Sequence, residues 1–450
     1  MTRLHALDAL WLELEHGGPP LAMGLVTVLD GPAPPVSQVR AMVAERIHAA
    51  PSLSRVAVTE TGMRRPEWRE GVSPDLSHHV TSRRIGAGDA AVERFVSGLM
   101  EQPMALDRPL WDLTVLRGHA KQQWALVWRL HHAVADGLGA RAAIGPFFDL
   151  DAEGKTPLSA AMAAIAATAG GRSSGKALPG AVRDAVDGIA GRLADVARHL
   201  PTAARVVSDV TPKPPGSLTG EISTRRRWVH GTTDLSSVRA AAHRSGCTVN
   251  DVVLAGVAIG FRRLLESRGE PTSDRTVRCA MPVSLRSAAD DDTNNQISLA
   301  WVDLPLGDVS ARERVRTIAA ETSLQKHTRT PLLGAALLSL TDHLVPATVQ
   351  DVVVAHGDWI PEWFAETVVT NVPGAPFPLY FMGRRVAHSH PVIPVDGHLR
   401  ITVGVYSHED TLGFGISGDG VHAADVDVLM AGIIEGLREL SESLVDAVSG

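Results

Sequence analysis

Cysteine is scarce: Cys247 and Cys279 are the two in 450 residues, and they form no CxxC or zinc-ligand spacing. That excludes a structural disulfide framework and points to a reducing, cytoplasmic compartment. Long apolar runs are missing as well. No stretch reaches the ~18 residues a membrane-spanning helix needs, and the acidic start "MTRLHALDALWLELEHG" lacks the apolar middle of a secretory signal. Basic charge is not in excess either. The net charge of −7 gives no electrostatic reason to expect nucleic acid. No GxSxG stands as a strand-to-helix elbow, its match "GRSSG" at 171–175 falling in an Ala/Gly/Ser-rich run, and the GxxxxGKS/T phosphate loop is absent. Serine hydrolase and nucleotide triphosphatase chemistry thereby lose their main support.

What remains is a globular composition, 44% hydrophobic and 21% charged, long enough for two domains. Up to about residue 155, strand-like and helical patterns mix. "MGLVTVLDG" and "WDLTVLRG" look like strands ended by turn glycines. "VSQVRAMVAERIHA" and "AAVERFVSGLMEQ" carry apolar residues at helical spacing. "KQQWALVWRLHH" is too apolar for a half-exposed strand and reads as central in a sheet. Residues 156–216 change character, with an Ala/Gly/Ser-rich run, an amphipathic helix over 181–200 and the breaker "TPKPPGSLTG". We read them as a helical crossover between a first lobe, 1–155, and a second, 217–450. The second lobe has a helix pair around "SGCT", a hairpin turning at "SHED" and a closing helix. No regular βαβ rhythm appears, so mixed sheets in two α/β lobes are expected.

The stretch "LVWRLHHAVADGLGA" carries the leading chemical signal. An apolar strand ends at His131 and His132, and Asp136 and Gly137 follow before small, helix-compatible residues. A neutral imidazole at a strand end can take a proton near physiological pH. The same residues also fit a hydrogen-bonded polar corner, or a metal site lacking a third well-spaced ligand. His78 and His79 form a second pair without the following Asp–Gly and read as ordinary polar residues. "GFGISG" at 413–418 satisfies GxGxxG, but too little chain follows for a dinucleotide fold, so it reads as a β-turn.

"HHAVADG" matches the HHxxxDG signature of the chloramphenicol-acetyltransferase-like superfamily. Further segments resemble one branch of it, the bacterial wax ester synthase/diacylglycerol acyltransferase family. They are "LHALDALWLELE", the PLW of Pro109, Leu110 and Trp111, "PGSLTGEISTRRRW", the Asn250–Asp251 pair of "TVNDVVLA", "MPVSLR" and "TNVPGAPFPLYFMGRRV". They run in family order from about residue 4 to 420. Departures fall at "GPPLAMG", Ala375, Arg400 and His408, in segments other than HHxxxDG.

The resemblance implies two chloramphenicol-acetyltransferase-like lobes with a tunnel between them, CoA entering one side and a lipid alcohol the other. It implies acyl transfer from acyl-CoA to a long-chain alcohol or diacylglycerol, with His132 as general base and no covalent acyl-enzyme. His131 should be structural, because neighbouring strand residues face opposite ways. Gly137 should allow the tight exit into a helix. Asp136 should hold the loop, through backbone N–H groups or through Arg286. Thr370 and Asn371 are the candidate oxyanion donors. Asn250 and Asp251 fit a helix cap as well as substrate positioning, and Pro109, Leu110 and Trp111 fit packing. No cofactor and no metal are expected. Peripheral contact with a membrane or lipid droplet is a possible addition. The rivals are a carrier-protein-dependent condensation enzyme and a non-catalytic lipid-binding or droplet protein on the same fold.

Overall fold

The computed structural model describes residues 2–4, 6–15, 18–58, 66–158, 216–284, 297–327 and 365–446. The helix expected over 181–200, most of the crossover and Arg286 lie outside them.

The first part of the chain runs β1 (Thr2–Arg3), α1 (Ala6–Glu15), β2 (Ala22–Asp30), α2 (Val36–Arg46), β3 (Val56–Val58), β4 (Glu67–Arg69), α3 (Leu76–His79), β5 (Val80–Arg84), α4 (Asp89–Met100), β6 (Trp111–Arg117), β7 (Gln123–His131) and α5 (Gly137–Ile144). The later part runs β8 (Arg226–Asp234), α6 (Leu235–Ser245), α7 (Val249–Ser267), β9 (Thr276–Ser284), β10 (Ile297–Pro305), α8 (Ala311–His327), β11 (Thr367–Pro373), β12 (Tyr380–Phe381), β13 (Arg384–Val392), β14 (Ile401–His408), β15 (Thr411–Asp419) and α9 (Val426–Asp446).

Two six-stranded sheets organise these elements, in the orders β12-β13-β2-β7-β6-β5 and β10-β9-β11-β14-β15-β8. Both are mixed: β5 runs parallel to β6, and β11 parallel to β9 and β14, while the other pairs are antiparallel. Strand β7 is central, as its composition demands, and its two faces feed different cores. Trp124, Leu126, Trp128 and Leu130 pack into one core, which Leu379, Phe381 and Val386 from the later part of the chain also enter. Ala125 and Val127 face α4, together with Trp228 of the second sheet. A strand buried on both sides needs no polar alternation.

One strand exchange crosses the expected division of the chain. Strands β12 and β13 lie within 217–450, yet they join the first sheet, β13 pairing antiparallel with β2 from Val386↔Leu29 to Val392↔Gly24. A correction to the sequence reading concerns how β13 crosses over. "GFGISG" is not a turn but lies within β15, whose residues 413 and 415 share one face. A methyl on Gly413 would run into the carbonyl of Ser389, and one on Gly415 into that of Pro391. Those two glycines let β13 cross the second sheet at backbone contact.

Candidate active site

Strand β7 delivers His131 and His132 to its end, and their backbones are fixed by the residues that lead into both neighbouring strands. His131 N–H donates to Leu110 O at 3.0 Å, and His132 N–H to Leu21 O at 3.3 Å. The side chains then part. His131 is fully buried, its Nδ1 accepting from the Ala133 N–H at 3.0 Å and its Nε2 lying 2.7 Å from Glu15 Oε2. An Nδ1 that accepts leaves the proton on Nε2, so His131 donates to Glu15. Glu15 Oε2 also receives the Leu21 N–H at 2.9 Å. Burial pushes the Glu15 carboxyl upward, but hydrogen bonds from His131, Leu21 and Met104 outweigh it and hold the group below its ordinary value.

His132 is half-buried and lies against the indole of Trp11, ring centroids 4.3 Å apart and planes 25° from parallel. Burial first, and proximity of His131 second, push its imidazole down to about 4. At neutral pH the ring is uncharged and its lone pair can accept a proton, the state a general base requires.

Asp136 caps α5. Its Oδ1 accepts from Gly139 N–H at 2.6 Å, and its own carbonyl accepts from Ala140 N–H at 2.6 Å. The backbone form of loop anchoring is therefore present. Gly137 is not needed for a left-handed turn, since it is absent from the positive-φ residues. Its reason is steric: a Cβ there would sit 3.1 Å from Val372 Cγ2 in β11. Arg141 Nη1 adds a 2.5 Å bond to Pro373 O. The HHxxxDG loop thus presses directly on a strand of the second sheet.

That contact sorts the candidate oxyanion donors. Alternation puts Thr370 on the Val372 side of β11, facing the loop, and Asn371 on the other. The neighbouring strand agrees, because Gly404, opposite Thr370, abuts Pro391 and Ile393. The Thr370 hydroxyl is buried and has no hydrogen-bond partner among the described residues. Asn371 instead donates to Asn250 Oδ1 at 3.2 Å. Asp251 completes a capping box with Thr248 at the start of α7 and accepts from Thr322 Oγ1 at 2.7 Å. Asn250, Asp251 and Asn371 therefore gather on the helix-covered side, away from Thr370.

Leu110 and Trp111 are core residues. The Trp111 N–H bonds Pro109 O, its indole Nε1–H bonds Leu53 O at 2.8 Å, and its ring stacks on buried His79 at 4.6 Å. Among the described residues no three His, Cys, Asp or Glu are grouped to hold a metal ion.

The sequence reading missed Glu15 and Trp11. Their signal was faint: they lie four apart on α1, so one helix face presents both. Their partners, however, are more than a hundred residues away.

Comparison with known proteins places the chain in a family. The wax ester synthase/diacylglycerol acyltransferase catalytic domain matches residues 4–253, and the C-terminal domain of the same family matches residues 293–441. A protein described as a probable diacylglycerol O-acyltransferase of Mycobacterium tuberculosis is 30% identical over 98% of this chain and 96% of its own. A wax ester synthase/diacylglycerol acyltransferase from Marinobacter aquaeolei VT8 shares the fold, with TM-score 0.70 at 22% identity over 99% of this chain and 100% of that one. The starter condensation domain of rhizomide synthetase, solved with C8-CoA, aligns at TM-score 0.59 and 18% identity, over 99% and 95%.

Proposed function

The chain belongs to the wax ester synthase/diacylglycerol acyltransferase family and is an acyltransferase, and from that premise we propose how its site works. A fatty acyl group moves from acyl-CoA to the hydroxyl of a long-chain alcohol or diacylglycerol. His132 takes the acceptor O–H proton as that oxygen attacks the thioester carbonyl. The C–S bond then breaks, and the imidazolium returns the proton to the CoA thiolate. The products are ester and free thiol, with nothing left on the protein. General acid–base help of this kind contributes about 10²–10⁴-fold.

The Thr370 hydroxyl donates to the oxyanion of the tetrahedral intermediate. A buried donor without a partner among the described residues is pre-organised for charge that appears only in the transition state. His131, Glu15 and Asp136 hold the loop and do not touch substrate. Arg286 stays the candidate for a further contact to Asp136. Both acceptors partition into lipid, so the proposal includes peripheral contact with a membrane or droplet surface. Among the described residues no helix is long and apolar enough to cross a membrane.

The observation that carries this reading is a neutral, half-buried imidazole at the end of β7, on a loop seated against the strand of Thr370. The test supplies purified protein with palmitoyl-CoA and either hexadecanol or diolein and follows thiol release. Release that requires the alcohol, and is lost in His132→Ala but largely kept in His131→Ala when both are assayed fully folded, is expected. Turnover only with a carrier-bound acyl group supports the condensation rival. Lipid binding without turnover, unchanged in His132→Ala, supports the coat-protein rival.

A further inference from the structure

We propose that Trp11 is a positioning residue for the base, its indole face carrying the His132 ring and stabilising the positive charge that ring gains as the acceptor hydroxyl gives up its proton. This rests on the reading of His132 above and extends it. The observation is geometric. Trp11 is buried, 8% exposed, and its ring lies nearly face to face with the imidazole at 4.3 Å and 25°. Helix α1 holds both ends of the arrangement, because Glu15, one turn on, takes the hydrogen bond of His131. One rigid element therefore sets the attitude of both histidines.

The two protonation states of His132 interact with that face differently. A neutral imidazole gains only dispersion and packing from an indole. An imidazolium is also drawn to the negative face of the ring quadrupole, most strongly where water is excluded. Burial opposes charging of His132, so a group that favours only the charged form acts on the transition state and leaves the ground state alone. The proton path is unchanged: hydroxyl oxygen to imidazole, then imidazole to CoA sulfur. The indole neither gives nor takes a proton.

An aliphatic side chain would fill the same space, so shape and charge must be separated. Trp11→Leu keeps an apolar filler, and Trp11→Phe keeps an aromatic face. Site-specific fluorinated tryptophans at position 11 keep the indole shape while draining its face, and they serve even where Trp11→Leu does not fold. The expected result is a graded fall in kcat with fluorination, reaching roughly 10-fold for the most fluorinated ring. KM for palmitoyl-CoA should stay within about twofold, and Trp11→Phe should be more active than Trp11→Leu. A flat kcat across the fluorinated series in an active enzyme overturns the role of Trp11 alone. Equal kcat in Trp11→Leu and Trp11→Phe at equal melting temperature does the same. An inactive wild type, or a fully active His132→Ala, overturns both this proposal and the function it rests on.

Discussion

Replacing Glu15 by alanine removes the acceptor of two buried donors at once. The His131 ring is fully buried and its Nε2 lies 2.7 Å from the carboxylate; Leu21, whose N–H lies 2.9 Å from the same oxygen, is buried too. An orphaned buried donor costs about 1–3 kcal/mol, so the pair implies a loss of about 2–6 kcal/mol. Alanine's better helix propensity returns only a few tenths. Against a typical total of about 5–15 kcal/mol, that is a severe variant. Glu15→Gln keeps one acceptor oxygen, and because both bonds reach Oε2 it should recover most of the loss. Urea denaturation of wild type, Glu15→Ala, His131→Ala and the double variant closes a cycle, and the coupling expected is about 1–3 kcal/mol. The term also depends on pH. The Glu15 carboxyl is held below its ordinary value near 4.5 in the fold, so its contribution is full above that pH and fades as pH falls further. A Glu15→Ala protein within 0.5 kcal/mol of wild type, or a cycle that closes at zero, would refute this account of how the histidine pair is held.

Because burial lowers the His132 imidazole to about 4 and the base works deprotonated, kcat/KM should stay flat from pH 8 down to about 5.5; a half-loss near 6.5 would contradict the environment described. Thr370→Val deletes a hydroxyl that has no partner among the described residues, so it should leave the melting temperature unchanged or raised. Its kcat should nevertheless fall about 10²-fold, and an unaltered kcat removes Thr370 as oxyanion donor. Gly415→Ala should destabilise by about 1–3 kcal/mol or more, since its methyl meets the Pro391 carbonyl. Gly98→Ala, inside α4 with nothing within 4 Å of the new methyl, should stabilise by up to about 1 kcal/mol. Opposite signs in thermal melts are the check.

Local features were legible in the sequence, and long-range ones were not. The apolar run ending in "HH" announces a buried central strand because composition alone decides whether both faces can be covered. The Asp136 and Thr248–Asp251 caps are readable because a helix start satisfies its own N–H groups within one turn. The pairing of Glu15 with His131 spans 116 residues, and nothing local distinguishes that glutamate from a solvated one. The glycines at 413 and 415 illustrate the same limit. Their spacing suggests a phosphate loop or a turn, whereas their cause is a strand from elsewhere passing over them. Thr370 and Asn371 looked interchangeable as neighbours, and only the placement of β11 between the loop and α7 assigns them different work.

The membership of β13 in the first sheet has a consequence for synthesis on the ribosome. His390 pairs with Val26 across 364 positions, so the β2 edge stays open while the intervening chain is made. At the usual ~5–20 residues per second, the roughly 260 residues between His131 and Val392 take roughly 10–50 s. During that time a nascent strand with Leu25, Val26 and Val28 exposes unsatisfied backbone to any other strand nearby. The β2 edge of the first sheet can be closed by its own strand only after Val392 has been made.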